Sequence, residues 1–341
     1  MVNRLCAVLV LVACLFGTLA CSSDGASPDA DSSLTASEVA AITPEEIRAY
    51  SDARIVALGT NIQFLSDAAL AALTRNNSAT TGQIAAITAE QIVVLSPAQV
   101  RLLGAAGEGG SLRTSAVAEL NKGAWAALVG DKAQVEAFTA DEIPTFSPAQ
   151  IVALDTNIQF LSDDALTRLT RNNSATTGQI AAIMADQVAV LSPAQVRLLG
   201  AAGEGGSLRT SAVAELNKGA WAALVSDKAQ VEAFTADEIP TCSPAQIVAL
   251  GSNVQFLTDE ALGSLTPNNS AASGQIAALT VDQIGVLTPS QIGVIAASHD
   301  DKGLTFLSNG ALGALSAEQI AILTETQKAA LTPPQHTACG C

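Results

Sequence analysis

The stretch LSPAQVRLL at residues 95–103 carries the signals for one short helix. Ser96 is a favoured N-cap residue, since its side-chain oxygen can accept a hydrogen bond from a free N–H of the first helical turn. Pro97 suits the first helical position, because the N–H that proline lacks would have no intrahelical partner there. Gln99 stands three residues after the cap, which completes the pattern of a capping box. The stretch therefore predicts a helix that begins at Pro97.

The same signals recur every eight residues along most of the chain. Glutamine followed by Ile or Val stands at positions 83, 91 and 99, and the consensus is [Ser/Thr]-x-x-[Gln/Glu]-[Ile/Val]-x-x-[Leu/Ile]. One long helix is excluded because each proline and each N-cap would interrupt it, and a strand is excluded because the apolar residues do not alternate. Helices of about two turns are unstable alone and must bury apolar side chains against their neighbours. The octads therefore predict an all-α solenoid or superhelix of short capped helices.

A longer repeat of 96 residues contains the octads. The sequence NIQFL at 61–65 recurs at 157–161, and NVQFL occupies 253–257. Because 96 is twelve times eight, the long repeat keeps the octads in phase. Block 3 diverges after Thr288, as expected for a terminal repeat that faces water. We divide the chain after its leader into N-terminal octads (34–48), block 1 (49–144), block 2 (145–240), block 3 (241–333) and a tail (334–341).

Two segments in each of the first two blocks interrupt the octads. The glycine-rich segment 104–111, which is copied at 200–207, predicts a flexible loop. It precedes a stretch over 112–129 that we interpret as a longer helix. The sequence Asn-Asn-Ser at 76–78, copied at 172–174, predicts a turn.

The N-terminal residues have the pattern of an export signal. A short basic start that ends at Arg4 precedes an apolar run over 5–20, which is too short for a transmembrane helix and fits a Sec-type signal peptide. The sequence GTLAC at 17–21 resembles a lipobox, in which signal peptidase II cleaves before a cysteine that becomes diacylated. This resemblance implies a signal peptide over 1–20 and a lipid on Cys21.

Cys14 is a second candidate for the lipidated residue, because the three residues before it also match a lipobox. Cleavage there would leave the apolar residues 15–20 in front of the linker, so we favour Cys21. The small polar residues that follow predict a flexible tether over 21–33. Ser22, in place of an aspartate after the cysteine, resembles lipoproteins that are sent to the outer membrane.

Composition limits both the core and the partners. The chain is 49% hydrophobic but only 3% aromatic, so the core must consist mainly of Leu, Ile, Val and Ala. The formal net charge is −16. Because a surface this acidic repels nucleic acid and anionic lipid headgroups, we expect no nucleic-acid partner.

Three further cysteines follow the tether. Cys242 aligns with Tyr50 and Phe146 in the earlier blocks, which predicts a packed apolar position. Cys339 and Cys341 lie in a tail that we expect to be frayed. They are able to pair with each other, to pair with another chain or to hold a metal, and the sequence leaves these alternatives open.

No residue pattern in the sequence indicates catalysis, and we predict a protein without enzymatic activity, cofactor or metal. The chain has two histidines, and neither belongs to a pair with metal-ligand spacing. The glycine-rich segments lack the Gly-Lys-[Ser/Thr] of a phosphate-binding loop. A Gly-x-Ser-x-Gly nucleophile elbow is also missing from the sequence.

Four residues are candidates for an interaction site. Trp125 and its copy Trp221 are interpreted as core anchors in preference to ligand platforms. His299 and Asp300, which precede Asp301, are interpreted as a polar loop in preference to a metal site.

Two resemblances bear on the role of the array. The octad resembles the Leu-Thr-Thr-Ala-Gln-Val-Ala-Ala-type repeats of large bacterial surface and adhesin-like proteins, which implies a surface or interaction role and no particular reaction. Residues 287–300 are similar to the opening helix and base-reading pair of a transcription-activator-like effector repeat, in which the His-Asp pair at 299–300 would read cytosine. The chain lacks the repeat period of that family, and its few Lys and Arg residues disfavour contacts with phosphates.

The sequence therefore predicts a non-catalytic envelope lipoprotein, anchored in the outer membrane through Cys21, whose array binds protein or polysaccharide at the cell surface. The alternative is a periplasmic module that binds a ligand or a metal at the glycine-rich and acidic loops.

Overall fold

A computed structural model describes residues 34–76, 80–107, 112–172, 178–202, 208–268 and 274–341. The predicted leader, the lipidation site and the tether lie outside the described residues. The residues from Leu34 to Cys341 belong to one compact unit. Within its described part the chain forms many short helices and no strand, apart from two isolated β-bridges at Ala106–Leu112 and Ala202–Leu208. The predicted all-α solenoid of short helices is thus confirmed.

The α-helices mostly span four to nine residues. Their bounds are Ala36–Ala40, Pro44–Arg48, Asp52–Ala57, Asp67–Ala72, Ala89–Ile92, Pro97–Val100, Lys122–Val129, Lys132–Glu136, Pro148–Ala153, Asp163–Thr167, Ala185–Val190, Pro193–Leu198, Lys218–Ser226, Lys228–Glu232, Pro244–Ala249, Asp259–Gly263, Gln275–Ala278, Val281–Val286, Pro289–Asp301, Asn309–Leu312, Ala317–Ala321, Glu325–Ala329 and Pro333–Cys339. The range that ends at Asp301 includes non-helical residues from Ser298 to Asp300.

Short 3₁₀ helices connect many of them. Their bounds are Gly59–Phe64, Gln83–Ala86, Val117–Glu119, Ile143–Thr145, Asp155–Phe160, Ile180–Ala182, Val213–Glu215, Ile239–Thr241, Gly251–Phe256 and Gly303–Phe306.

The capping boxes form as the octad pattern predicts. At the helix Pro97–Val100, the Ser96 hydroxyl accepts a hydrogen bond from the Gln99 N–H at 3.3 Å, and Gln99 Oε1 accepts one from the Ser96 N–H at 3.0 Å. Leu95 and Val100, on either side of the box, are each 3% exposed. They occupy the two positions of a hydrophobic staple, which sets the angle at which the chain enters the helix.

The capping glutamines also join successive turns of the superhelix. Gln91 Nε2 donates to the carbonyl of Ile55, 36 residues earlier, at 2.7 Å, and Gln99 Nε2 donates to the carbonyl of Gln63 at 2.8 Å. In both residues the side-chain oxygen accepts the N–H of the N-cap residue, and the side-chain nitrogen donates to a carbonyl of the preceding superhelical turn. A buried amide needs such partners, because leaving one group unpaired costs about 1–3 kcal/mol.

We call the residues that donate in this way to a carbonyl 30 to 39 residues earlier the bridging glutamines. They are Gln83, Gln91, Gln99, Gln134, Gln150, Gln179, Gln187, Gln195, Gln230, Gln246, Gln275, Gln283, Gln291, Gln319 and Gln335. Nine of these fifteen glutamines donate to a carbonyl 36 residues earlier, which is the length of one superhelical turn. Helices one turn apart pack accordingly, as Ala89–Ile92 does on Lys122–Val129.

Glutamate stands at the glutamine position in the first described turn. Glu38 and Glu46 each accept the backbone N–H of their N-cap, Thr35 or Thr43, at 2.8 Å. These backbone hydrogen bonds, with the threonine hydroxyls, hold the pKa of both carboxyl groups below its usual value. A carboxylate accepts the capping bond but has no proton to donate to an earlier carbonyl.

Glu142 and its copy Glu238 replace the bridging glutamine inside the array. Glu142 is 2% exposed and accepts hydrogen bonds from the Thr139 N–H at 2.8 Å and from the Ser115 hydroxyl. Glu238 has the same contact with Ser211. A hydroxyl can donate where a backbone carbonyl can only accept, so the serine matches the carboxylate.

Two predictions about chain ends and connections are wrong. The stretch 112–129 is divided, because Asn121 caps a new helix by accepting hydrogen bonds from the Gly123 and Ala124 N–H groups at 3.0 Å. The tail is a helix, Pro333–Cys339, whose last residue is buried and forms a disulfide with Cys341.

Candidate functional site

The tryptophan candidates lie in the core. Trp125 and Trp221 are each 3% exposed, and their indole N–H groups donate to the carbonyls of Gln150 and Gln246 at 3.3 and 3.2 Å. Because the ring and its polar edge both face protein, neither indole offers a surface to a partner.

His299 and Asp300 lie in a left-handed turn. His299, Asp300 and Asp301 have φ angles of 56°, 60° and 61°, a region that Asp and His enter more readily than most residues. His299 Nε2 lies 2.8 Å from the carbonyl of Leu265, 34 residues earlier, and Asp301 accepts a hydrogen bond from Gln327 at 3.0 Å. This left-handed segment therefore links neighbouring turns of the superhelix, as the bridging glutamines do.

An open pocket of about 650 Å³ lies beside the glycine-rich segment of block 1. Residues of the segments 71–76 and 104–107 line it, together with Arg48, Arg75 and Arg113. We call this cavity the arginine pocket. The sequence does not reveal this pocket, because the three arginines stand far apart in the chain and belong to different octads or loops.

Backbone contacts hold the two lining segments together. The N–H groups of Gly104 and Ala106 donate to the carbonyls of Leu70 and Ala71 at 3.2 and 2.9 Å, at the end of the helix Asp67–Ala72. Gly104 has a φ of +61°, and a Cβ there would lie 2.5 Å from the Ile84 side chain. Only glycine allows this approach without displacement of the core.

Arg75 is fixed in the pocket wall. Its Nε lies 3.0 Å from Glu119 Oε1, and its Nη1 donates to the carbonyl of Thr114 at 2.9 Å. Arg48 has a weaker ion pair, at 3.7 Å, with the exposed Glu45. Arg113 is exposed, and its guanidinium group has no hydrogen bond or ion pair in the described part of the chain.

Block 2 reproduces this arrangement with one exchange. Arg171 pairs with Glu215 at 2.8 Å and donates to Thr210, and Arg209 repeats Arg113. The counterpart of Arg48 is a proline, but the counterpart of Ala72, a pocket residue of block 1, is the exposed Arg168. Both blocks therefore have three arginines at or next to the equivalent segments of sequence. Block 3 has Ser264 and Pro267 at the positions of Arg168 and Arg171 and lacks the trio.

A second repeated surface is apolar. Val56, Val152 and Val248, which are 96 residues apart, are 44, 38 and 39% exposed. Leu112 and its copy Leu208 are also exposed. The same side chains thus reach the surface at matching places of successive blocks.

The described residues contain neither a cluster of metal ligands nor a membrane-spanning helix. No group of three or more His, Cys, Asp or Glu side chains among them could hold a metal ion. In the same ranges, no helix has the length and hydropathy needed to cross a bilayer. Comparison with protein-family models, with curated proteins and with solved structures gives no match to this chain.

Proposed function

We propose that the chain is a non-catalytic lipoprotein of the cell envelope, anchored in the outer membrane through Cys21, whose helical array presents repeated surfaces to a protein or polysaccharide partner. The observation that carries this proposal is the recurrence of exposed valines at 96-residue intervals. In a solenoid, such recurrence gives several equivalent contacts, and linked contacts raise affinity for a partner that reaches more than one.

Most of the conspicuous polar side chains of the array serve its own structure. The bridging glutamines and His299 donate to, or lie at hydrogen-bond distance from, carbonyls of a neighbouring turn, and Glu142 accepts from Ser115. Their chemistry is used in joining turns, which supports a scaffold role in preference to catalysis.

Deletion of block 2 tests the scaffold proposal. Removing residues 145–240 joins Pro144 to Thr241, and the native sequence already contains the same Ile-Pro-Thr junction at 239–241. We expect the shortened chain to keep its helical circular dichroism and to bind envelope fractions more weakly than the full chain. Unchanged binding by a folded deletion variant would contradict the proposal.

Protease treatment of intact cells tests the location. Digestion of the wild type, with release of a Cys21→Ala variant into the soluble fraction, is the expected result for a surface lipoprotein. Protection of the wild type would place the array in the periplasm.

A ligand-binding module is the second candidate, because the arginine pocket lies beside the glycine-rich segment. Guanidinium groups suit an anion and not a metal cation. The pocket therefore favours the ligand-binding form of this alternative over the metal-binding form.

A further inference from the structure

We propose that the arginine pocket of block 1 binds a compact anionic sugar, one that carries a carboxylate or phosphate group, and that the equivalent arginines of block 2 form a second site of the same kind. This inference rests on the ligand-binding candidate and names its ligand. Its starting point is the juxtaposition of Arg48, Arg75 and Arg113 around a cavity of about 650 Å³.

The pocket is a local positive site in an acidic protein. The whole chain has 16 basic and 32 acidic residues, yet three of the arginines meet in this cavity. The carboxylate of Glu119 lies 3.0 Å from Arg75 and offsets its charge. Arg113 has no acidic partner among the described residues. The arginine trio therefore retains positive charge that a small anion can neutralise.

The guanidinium groups are suited to this task by geometry. Arg75 is held by two acceptors, Glu119 Oε1 and the Thr114 carbonyl, so its position is set before any ligand binds. Arg113 is free to turn towards a ligand. A planar fork of N–H donors matches the paired oxygens of a carboxylate or phosphate.

The two copies supply an internal argument for function. Block 2 has lost Arg48, since Pro144 occupies that position, but it has gained Arg168 where block 1 has the pocket residue Ala72. The number of arginines at these segments is thus the same in both blocks while one position changes. A purely structural role would tie each arginine to its own contacts, and neither Arg48 nor Arg168 has a partner in the core.

Size and overall charge select the kind of anion. A cavity of about 650 Å³ falls within the range of small-ligand sites, about 300–1,000 Å³. The net charge of −16 repels a long polyanion along the rest of the surface. A ligand with one or two charges on a sugar-sized body meets both conditions, and the pocket lining adds the polar side chains of Thr74 and Asn76 beside the arginines.

Isothermal titration calorimetry of the purified chain tests the inference. The probes are digalacturonic acid, glucose 6-phosphate and inorganic phosphate, each at about 20 mM salt, where charge screening is weak. We expect two sites per chain for at least one sugar probe, with affinity that falls as salt rises. Preference for digalacturonic acid would identify a carboxylate as the ligand group, and preference for glucose 6-phosphate would identify a phosphate. Binding of inorganic phosphate alone would overturn the sugar assignment.

Matched variants locate the sites. Arg113→Ala should halve the stoichiometry, or weaken one site by about 10-fold or more, and Arg113→Ala with Arg209→Ala should weaken both, because each removes a charged hydrogen-bond donor. Arg54→Ala is the control, since Arg54 is exposed, lies outside the pocket lining and packs over Tyr50. Absence of binding by every probe, or binding that the double variant leaves unchanged, would overturn the inference. Envelope binding is measured separately, so a negative titration leaves the scaffold proposal to its own test.

Discussion

The two junctions between blocks have nearly the same sequence but different aromatic packing. At the first junction Trp125 lies 5.8 Å from Phe138 and 4.8 Å from Phe146, and the two phenyl rings lie 5.0 Å apart. At the second junction, Cys242 occupies the place of Phe146. Trp221 and Phe234 remain 5.6 Å apart, but their planes meet at 41° instead of 11°.

The backbone frame is the same at both junctions. Gln179 Nε2 donates to the carbonyls of Ile143 and Phe146 at 2.7 Å, and Gln275 Nε2 donates to those of Ile239 and Cys242 at 2.6 Å. The difference teaches that the bridging glutamines hold the register of the turns, while the side chains between them adjust to a change in volume.

Phe146→Ala should produce the largest loss of stability. Removing the ring breaks two edge-to-face contacts and leaves a cavity in the core, for which a loss of about 3–5 kcal/mol is expected. Urea denaturation followed by circular dichroism measures the change. The matched variant Cys242→Ala removes one sulfur atom and should cost about 1 kcal/mol. Equal losses of stability from Phe146→Ala and Cys242→Ala would show that the three aromatic rings add no stability to the first junction.

The second junction should be sensitive to alkaline pH. Burial, followed by the negative charge of Glu238, raises the pKa of Cys242 to about 12 from an unfolded value near 9. The folded chain keeps this proton between pH 9 and 12 while the unfolded chain releases it. Its contribution to stability is therefore complete below pH 9 and falls by about 1.4 kcal/mol for each pH unit above 9.

Comparison of the wild type with Cys242→Phe isolates this effect, because other groups titrate equally in both proteins. The difference in urea midpoint should widen in favour of the phenylalanine variant from pH 9 to 11. Parallel curves would refute the assignment to the thiol. In the same range, the native thiol should react slowly with iodoacetamide.

A missing cap in block 2 predicts a smaller effect. Thr88 and Thr280 accept hydrogen bonds from the N–H groups of Gln91 and Gln283 at 3.3 and 3.2 Å, but Met184 at the equivalent N-cap has no oxygen to offer. Met184→Thr should stabilise the chain by about 1 kcal/mol, measured as a rise in urea midpoint. Thr88→Met is the reverse test, and a gain from that change would contradict the explanation.

The smallest effect is expected at a left-handed position. Asp155 has a φ of 49°, whereas its counterparts Gly59 and Gly251 have φ angles of 52° and 54°. Asp155→Gly relieves the cost of a side chain in this region but adds freedom to the unfolded chain, so the net gain should be about 0.5 kcal/mol. Gly59→Asp should lower stability by a similar amount, since open space around its Cβ position excludes a clash. Thermal denaturation of both variants provides the check.

The sequence predicted the short helices well because their signals are local. The N-cap, the proline after it and the glutamine at the third position act within one turn, as Ser96, Pro97 and Gln99 show. The prediction of a longer helix over 112–129 failed because Asn121 caps a new helix inside an apolar stretch that has no proline. The helix Pro333–Cys339 carries the same local signals, because Thr332, Pro333 and Gln335 form its cap, so the expectation of a frayed tail overlooked a complete octad start. Contacts with Asn309–Leu312 add to its stability.

The sequence by itself determined the octad, the 96-residue repeat and the capping role of glutamines such as Gln91 and Gln99, because a capping bond joins residues three apart. The tertiary structure decided the bond that each of them donates to the preceding turn. Gln91 Nε2 finds the carbonyl of Ile55 only when a superhelical turn takes 36 residues, a length that neither repeat period states. The pairing of Glu142 with Ser115 and the meeting of Arg48, Arg75 and Arg113 were likewise decided by the superhelix, since it brings residues that are distant in the chain side by side.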